Sequence, residues 1–328
     1  MTTAPPTTGD EVSVGEVPLA LKPAKTSADR AFLITLLGAS VIVLAAIFAI
    51  LYFLARSSLP AIRHSGVHLL TSQHWAATGF HQQFGLAGVL LGTVMIAAIA
   101  IMVGVPVSLC AALLINEYAP TWLKRPMTSI VDLLAVLPSL LYGLWGLKVL
   151  GTQIYGFTKW LSAHADFFPL FREPDGTFGN SIFVCGVVVG IMIIPIVTSV
   201  SREVMSQAPR EACEAALALG GTKWGMVTDV IFPFARNGIL GGVLLGLGRA
   251  LGETVAVLLI LSQTNGIHFN ILGPGGGQIP ALIANSFESV NSLAKSALTV
   301  AGLLLFVTIL VINFTARRVV GRPRIALQ

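Results

Sequence analysis

The chain has 328 residues, of which 55% are hydrophobic and only 11% charged, and its mean hydropathy is +0.83. Soluble domains carry about 25% charged residues, so this chain cannot coat a soluble surface; a soluble enzyme, a disordered chain and a nucleic-acid binder are excluded. The net charge of +5 carries less information about a ligand than its distribution does, because basic excess in membrane chains gathers in cytoplasmic loops and sets orientation.

Residues 1–30 form a polar tail with Pro5, Pro6, Lys22, Lys25 and Arg30. The apolar run that follows is too long for a signal peptide, and no small-residue cleavage site ends it. Residues 31–55 contain no charge and can cross a hydrocarbon core of about 30 Å as a helix. Five further spans are expected at 86–115, 128–150, 181–200, 238–262 and 294–316, with Pro106, Pro138 and Pro195 as tolerated kinks. Stretches of this length exclude the roughly 10-residue alternation of an outer-membrane barrel. The fold class is therefore an all-α membrane protein of six helices over 31–316, flanked by the tails 1–30 and 317–328. Alternating the connections puts thirteen of the twenty basic residues on one side, which predicts both termini in the cytoplasm of a multi-pass plasma-membrane protein.

The outer connection 57–83 holds His64, His68, His74 and His81. Their spacing does not bring three ligands onto one helical face, so an interfacial loop is the preferred reading over a metal site. Cys110, Cys185 and Cys213 show no metal or CxxC spacing and read as small buried hydrophobes. Gly273-Pro274-Gly275-Gly276-Gly277 lacks the lysine and hydroxyl ending of a phosphate-cradling loop and reads as a flexible outer turn. With no nucleotide-binding motif elsewhere, any dependence on ATP must come from a partner chain.

The longest inner connection, 201–237, runs from Glu211 to Pro233 as EACEAALALGGTKWGMVTDVIFP. Pro209 suits a first helical turn, Glu211 and Glu214 sit at the favourable end of the helix dipole, and Gly220-Gly221 stops the helix. A second short helix is expected over Thr222 to Ile231 before Pro233 redirects the chain. Such an element could simply join two spans. Its residues, however, resemble the EAA loop of ABC-importer permeases: Glu214-Ala215-Ala216, three residues, Gly220, nine residues, then Val230-Ile231-Phe232-Pro233. Val230 and Phe232 replace the usual isoleucine and leucine. The resemblance implies a coupling helix that docks on a cytoplasmic ATPase, with Glu214, Ala215, Ala216, Gly220, Thr222, Lys223 and Pro233 as coupling residues.

In the fifth span Gly238, Gly242 and Gly246 recur every four residues and read as a helix-packing face. Arg249 and Glu253 follow, four apart, so a continuous helix would project them from the same side. Either charge costs about 2.5–3.5 kcal/mol at the bilayer centre. Mutual pairing would reduce that cost; alternatively the two line a polar path in which the arginine fork receives an oxyanion and Glu253 holds the guanidinium. Arg249-Ala250-Leu251-Gly252-Glu253-Thr254, Leu137-Pro138-Ser139 through Tyr142-Gly143-Leu144-Trp145-Gly146, and Phe84-Gly85 with Leu91-Gly92-Thr93 together resemble the phosphate ABC transporter permeases of the PstC type.

That resemblance implies the type I ABC importer permease fold and a substrate path including Arg249, Glu253 and Thr254. The implied partners are a homologous PstA-type permease, two cytoplasmic ATPase subunits that bind the ATP and magnesium, and an extracytoplasmic phosphate-binding protein. The chain itself is expected to hold no cofactor and to catalyse no covalent step. A permease for molybdate or sulfate is the nearest alternative. An autonomous secondary transporter is another, although no internal repeat supports it.

Overall fold

The computed structural model describes residues 27–77, 82–165, 167–173 and 176–320. Most of the tail 1–30, His81 and the basic residues Arg322 and Arg324 lie outside the described residues. The chain divides into two compact units, Met1–Ile50 and Leu51–Gln328. In the first, the described residues belong to helix α1 (Ser27–Ser65), and from Ala31 to Ile50 they are charge-free and exposed.

The second unit begins with the rest of α1, which includes Pro60. It continues through the short helix α2 (His68–Thr71), the antiparallel pair β1 (Trp75–Ala76) and β2 (Gln83–Phe84), and the long helix α3 (Ala87–Leu113). A π-helical turn, Leu114–Tyr118, ends α3. Then come α4 (Thr121–Val136), α5 (Ser139–Trp145), a second π turn Gly146–Leu150, α6 (Gly151–Gln153), α7 (Tyr155–His164) and α8 (Ile182–Ser206). The rest of the chain forms α9 (Arg210–Ala218), α10 (Lys223–Met226), a third π turn Val227–Ile231, α11 (Phe232–Gly252), α12 (Val255–Ile260), α13 (Ile279–Ser286) and α14 (Ser292–Val320). Among the described residues, five helical segments are long and apolar enough to cross a membrane, and the α4–α6 stretch makes a sixth if its bent pair counts as one span.

Two expected spans are not straight. The third bends by 91° between α4 and α5, where Leu137 is extended with ψ 129° ahead of Pro138. A proline disfavours helical backbone at the residue before it, and its missing N–H leaves the ladder open. Tyr142 bridges the break, its hydroxyl donating to the Leu134 carbonyl at 2.9 Å. The fifth span starts earlier than expected, as a helical stretch from Lys223, and breaks after Gly252.

Helix α8 is the central post, because α3 and α11 both approach it through glycine. A β-carbon on Gly104 of α3 would lie 2.7 Å from the Gly190 carbonyl of α8, and one on Gly186 would lie 2.5 Å from Ile99. Ser108 of α3 donates to Ile194 O at 3.2 Å, and Thr198 donates to Ser108 O at 3.3 Å. Small residues with a few cross-helix hydrogen bonds are the usual means of helix association in lipid. On the other side Gly238, Gly242 and Gly246 of α11 receive Val204, Val200 and Val197 of α8.

The Gly273–Gly277 segment is not a flexible turn. Its four glycines are buried, Gly275 and Gly276 have φ of +93° and +131°, and a β-carbon on Gly92 would lie 2.0 Å from the Gly277 carbonyl. These glycines serve close backbone approach and left-handed conformation. Among the cysteines, Cys185 is buried as expected, whereas Cys110 is exposed on α3 and Cys213 is half-buried. The apolar residues gather in three clusters: a main one around α3, α8 and α12, one joining α1 and α2 to α13 and α14, and a small one beneath α9 and α10.

Candidate functional site

The loop 201–237 folds as its residues dictate. Pro209 precedes α9, and Glu211 lies in its first turn. The helix closes as a Schellman turn, with Gly220 N–H on Leu217 O at 3.0 Å, Gly221 N–H on Ala216 O at 3.1 Å and Gly220 at φ +84°. Only glycine takes that φ freely. Thr222 then caps α10, its Oγ1 accepting from Gly225 N at 3.1 Å, and Pro233 sits in the first turn of α11.

The faces of α9 differ. Cys213 and Ala216 turn towards the small cluster of Ala112, Leu113, Met205, Met226 and Ile231. Glu211, Glu214, Ala215 and Leu217 are exposed, and beyond them Leu219 is 90% exposed and Trp224 57%. Exposed large apolar groups concentrated on a polar loop mark an interaction surface. A cavity of about 330 Å³ opens behind α9, lined by Glu117, Lys124, Arg210, Cys213 and Glu214 among others. Burial, followed by the Glu117 and Glu214 carboxylates, raises the Cys213 thiol above its ordinary pKa. Of the predicted coupling residues, Lys223 reaches across to the end of α3: Nζ donates to the Glu117 carbonyl and lies 5.0 Å from the Tyr118 ring centroid.

The charged residues of the fifth span are arranged differently from a helical pair. Arg249 lies in the last turn of α11 and is half-buried, and its Nε is buried without a hydrogen-bond partner. Tyr142 of α5 lies within its electrostatic reach. Glu253 has left the helix, with φ −68° and ψ 124°. It is 8% exposed, and its Oε1 accepts from Ala256 N at 3.2 Å, capping α12. Thr254 sits at the same break and donates to Gly252 O at 3.3 Å. Glu253 therefore does not hold the guanidinium: the break diverts its carboxylate to the next helix, where a free N–H competes for it. Tyr142 was visible in the sequence only as part of a motif; its bond across the bend at Pro138 was not.

The guanidinium of Arg249, with its buried unpartnered Nε, could receive an anion, whereas the Tyr142 proton is already given to Leu134 O. Among the described residues, no three His, Cys, Asp or Glu side chains gather as a metal site.

Residues 104–325 match the family described as the binding-protein-dependent transport system inner membrane component. The chain is 36% identical over 305 residues to the phosphate transport system permease protein PstC 2 of Mycobacterium tuberculosis, covering 92% of this chain and 94% of that one. It is 35% identical over 295 residues to the phosphate transport system permease protein PstC of Xylella fastidiosa, covering 88% and 90%. Its fold is similar to a chain of the bacterial alginate ABC transporter solved with an alginate-bound periplasmic protein, with a TM-score of 0.58 at 17% identity, covering 92% of this chain and 99% of that chain.

Proposed function

Because the chain belongs to the binding-protein-dependent transport inner membrane components, as a permease of the PstC kind, we propose that it forms half of a membrane pathway for inorganic phosphate, driven by ATP bound on other chains. The observation that carries the substrate is the near full-length likeness to permeases named for phosphate transport. An unpaired, half-buried arginine in the fifth span supports it, since a planar fork suits an oxyanion.

The partners proposed are a homologous permease of the PstA kind, two cytoplasmic ATPases holding ATP and magnesium, and an outer phosphate-binding protein. The exposed Glu214, Leu217, Leu219 and Trp224 of the coupling loop would seat on an ATPase, whose closure on ATP moves the loop. This chain contributes no covalent chemistry; it offers Arg249, Thr254 and the Glu253 break to the anion and transmits force. Both termini would face the cytoplasm, which requires the bent α4–α6 stretch to complete a crossing and make the number of spans even.

The test is uptake of labelled phosphate by the four-part complex in liposomes, with sulfate and molybdate as competitors. Phosphate uptake that requires ATP and resists both competitors is expected. Uptake displaced by either competitor in preference to phosphate would reassign the substrate, and transport by this chain alone would remove the ATPase coupling.

A further inference from the structure

We propose that Lys223 is a positioning residue of the transport cycle, an internal latch that ties the coupling loop to the end of α3. The inference rests on the coupling role proposed above and concerns how motion leaves the loop.

A helix ends with carbonyls that lack partners inside the helix. At the π turn that closes α3, two lysines supply them, one from the following helix and one from the distant coupling loop. Lys124 of α4 donates to Asn116 O at 2.6 Å, and Lys223, the first residue of α10, donates to Glu117 O. Cations at this end also meet the negative pole of the helix dipole. The ammonium of Lys223 lies 5.0 Å from the Tyr118 ring centroid, close enough for a cation–π contact. Asn116 adds a further tie, donating from Nδ2 to Arg202 O of α8 at 2.7 Å. Three consecutive residues, Asn116 to Tyr118, thus hold α4, α8 and α10 at one point.

The loop needs such a tie because its apolar footing is small and separate from the main core. Helix α9 buries no residue fully. Lys223 joins the loop to α3, which meets α8 backbone to side chain at Gly104 and Gly186. Helix α8 in turn seats the valine ridge against α11, the helix that carries Arg249. A shift of α9 and α10 therefore reaches the end of α3 through a charge-assisted bond, in addition to the apolar contact with Ala112 and Leu113 and to travelling along the chain into α11. Lys124, which holds α4 rather than the loop, has no part in that transfer.

The experiment uses the reconstituted four-part complex carrying Lys223→Ala, Lys223→Arg or Lys124→Ala, and reads phosphate uptake per ATP hydrolysed together with ATPase co-purification. The complexes are expected to assemble. Lys223→Ala lowers uptake per ATP about tenfold, the scale of one charge-assisted hydrogen bond, Lys223→Arg restores it, and Lys124→Ala leaves the ratio near wild type. A wild-type ratio in Lys223→Ala overturns the latch. So does loss of the ATPase from Lys223→Ala, which would make Lys223 an intermolecular contact. A second readout does not depend on the substrate. In a chain whose one thiol is Cys110 (Cys185→Ala, Cys213→Ser), ATP with vanadate is expected to change the alkylation rate of Cys110 on α3, and Lys223→Ala to abolish that change. A change that persists in Lys223→Ala, or is absent from the wild type, overturns the inference even if phosphate proves not to be the substrate.

Discussion

Replacing Gly238 by alanine would place a methyl carbon 2.5 Å from both γ-carbons of Val204 and 2.9 Å from its β-carbon. Carbon atoms attract best at about 3.5–4.0 Å, so two contacts fall about 1 Å short. Valine is stiff at χ1 and cannot swing away, so α8 and α11 must separate or shift. Overpacking of this kind costs about 1–3 kcal/mol, and the better helix propensity of alanine returns about 0.8–1.0 kcal/mol. A net loss of about 1 kcal/mol or somewhat more is expected, which lowers the melting point by a few degrees in a chain of this size. The same helix supplies graded controls. Gly246 faces Val197 at 2.8 Å, Gly242 faces Val200 at 3.1 Å, and Gly241 has nothing within 4 Å. The temperature at which half of the detergent-solubilised complex survives should therefore rank Gly238→Ala below Gly246→Ala, then Gly242→Ala, with Gly241→Ala at or above wild type. Val204→Ala combined with Gly238→Ala should recover most of the loss beyond the effect of Val204→Ala alone. If Gly238→Ala proves as stable as Gly241→Ala, the ridge of valines does not sit in the glycine stripe and the α8–α11 contact is wrong.

The two charges of the fifth span should behave unequally: Arg249→Ala is expected to cut phosphate uptake by about 10-fold or more, at about 1.5–3 kcal/mol per lost charge-assisted bond. Glu253→Gln, which keeps an acceptor for Ala256 N, should retain most uptake; equal losses in proteoliposome uptake would restore the paired reading. Cys213 should alkylate slowly at neutral pH, its rate still climbing above the ordinary thiol pKa of about 8.5. Glu117→Gln or Glu214→Gln removes a carboxylate that raises that pKa, so each should increase the thiolate fraction and the iodoacetamide rate at fixed pH; an unchanged rate would contradict the cavity geometry. Gly220→Ala strains a residue at φ +84° and is expected to cost about 1 kcal/mol or more in loop stability, seen as faster amide exchange over 210–222. Reporters at the two termini should both be accessible from the cytoplasmic side, and opposite accessibility would make the α4–α6 stretch re-entrant.

The coupling loop was legible because its signals are local. Proline before the first turn, two acids, a run of alanines and a glycine pair at the stop specify the helix and its end without reference to any neighbour, and Gly220 took the left-handed φ such a stop requires. The geometry at Arg249 was not legible. Nothing in Gly252-Glu253-Thr254 forbids a continued helix, and a spacing of four encouraged a paired reading. The break depends on Glu253 finding a better partner in Ala256 N. Proline marked the bend at 138, but its size, 91°, could not be read from the sequence. The glycines at 273–277 looked flexible because glycine is entropically free; here their missing side chains let backbones meet, as at Gly92 and Gly277. The reach of Lys223 to the end of α3 could not be read either, since its acceptor lies 106 residues away in the chain.

The position of Arg249 in the last turn of α11 bears on the dwell time of whatever anion it meets. The closing carbonyls of a helix carry roughly half a negative charge, so the guanidinium is partly balanced from behind by backbone, without a carboxylate occupying its fork. An arriving anion need not displace a competitor before it binds, so capture is unobstructed. The same backbone charge opposes the anion once it has settled, shortening its stay. In the phosphate pathway proposed above, a conduit needs both fast occupancy and ready departure, and a helix that ends at the half-buried Arg249 would supply them together.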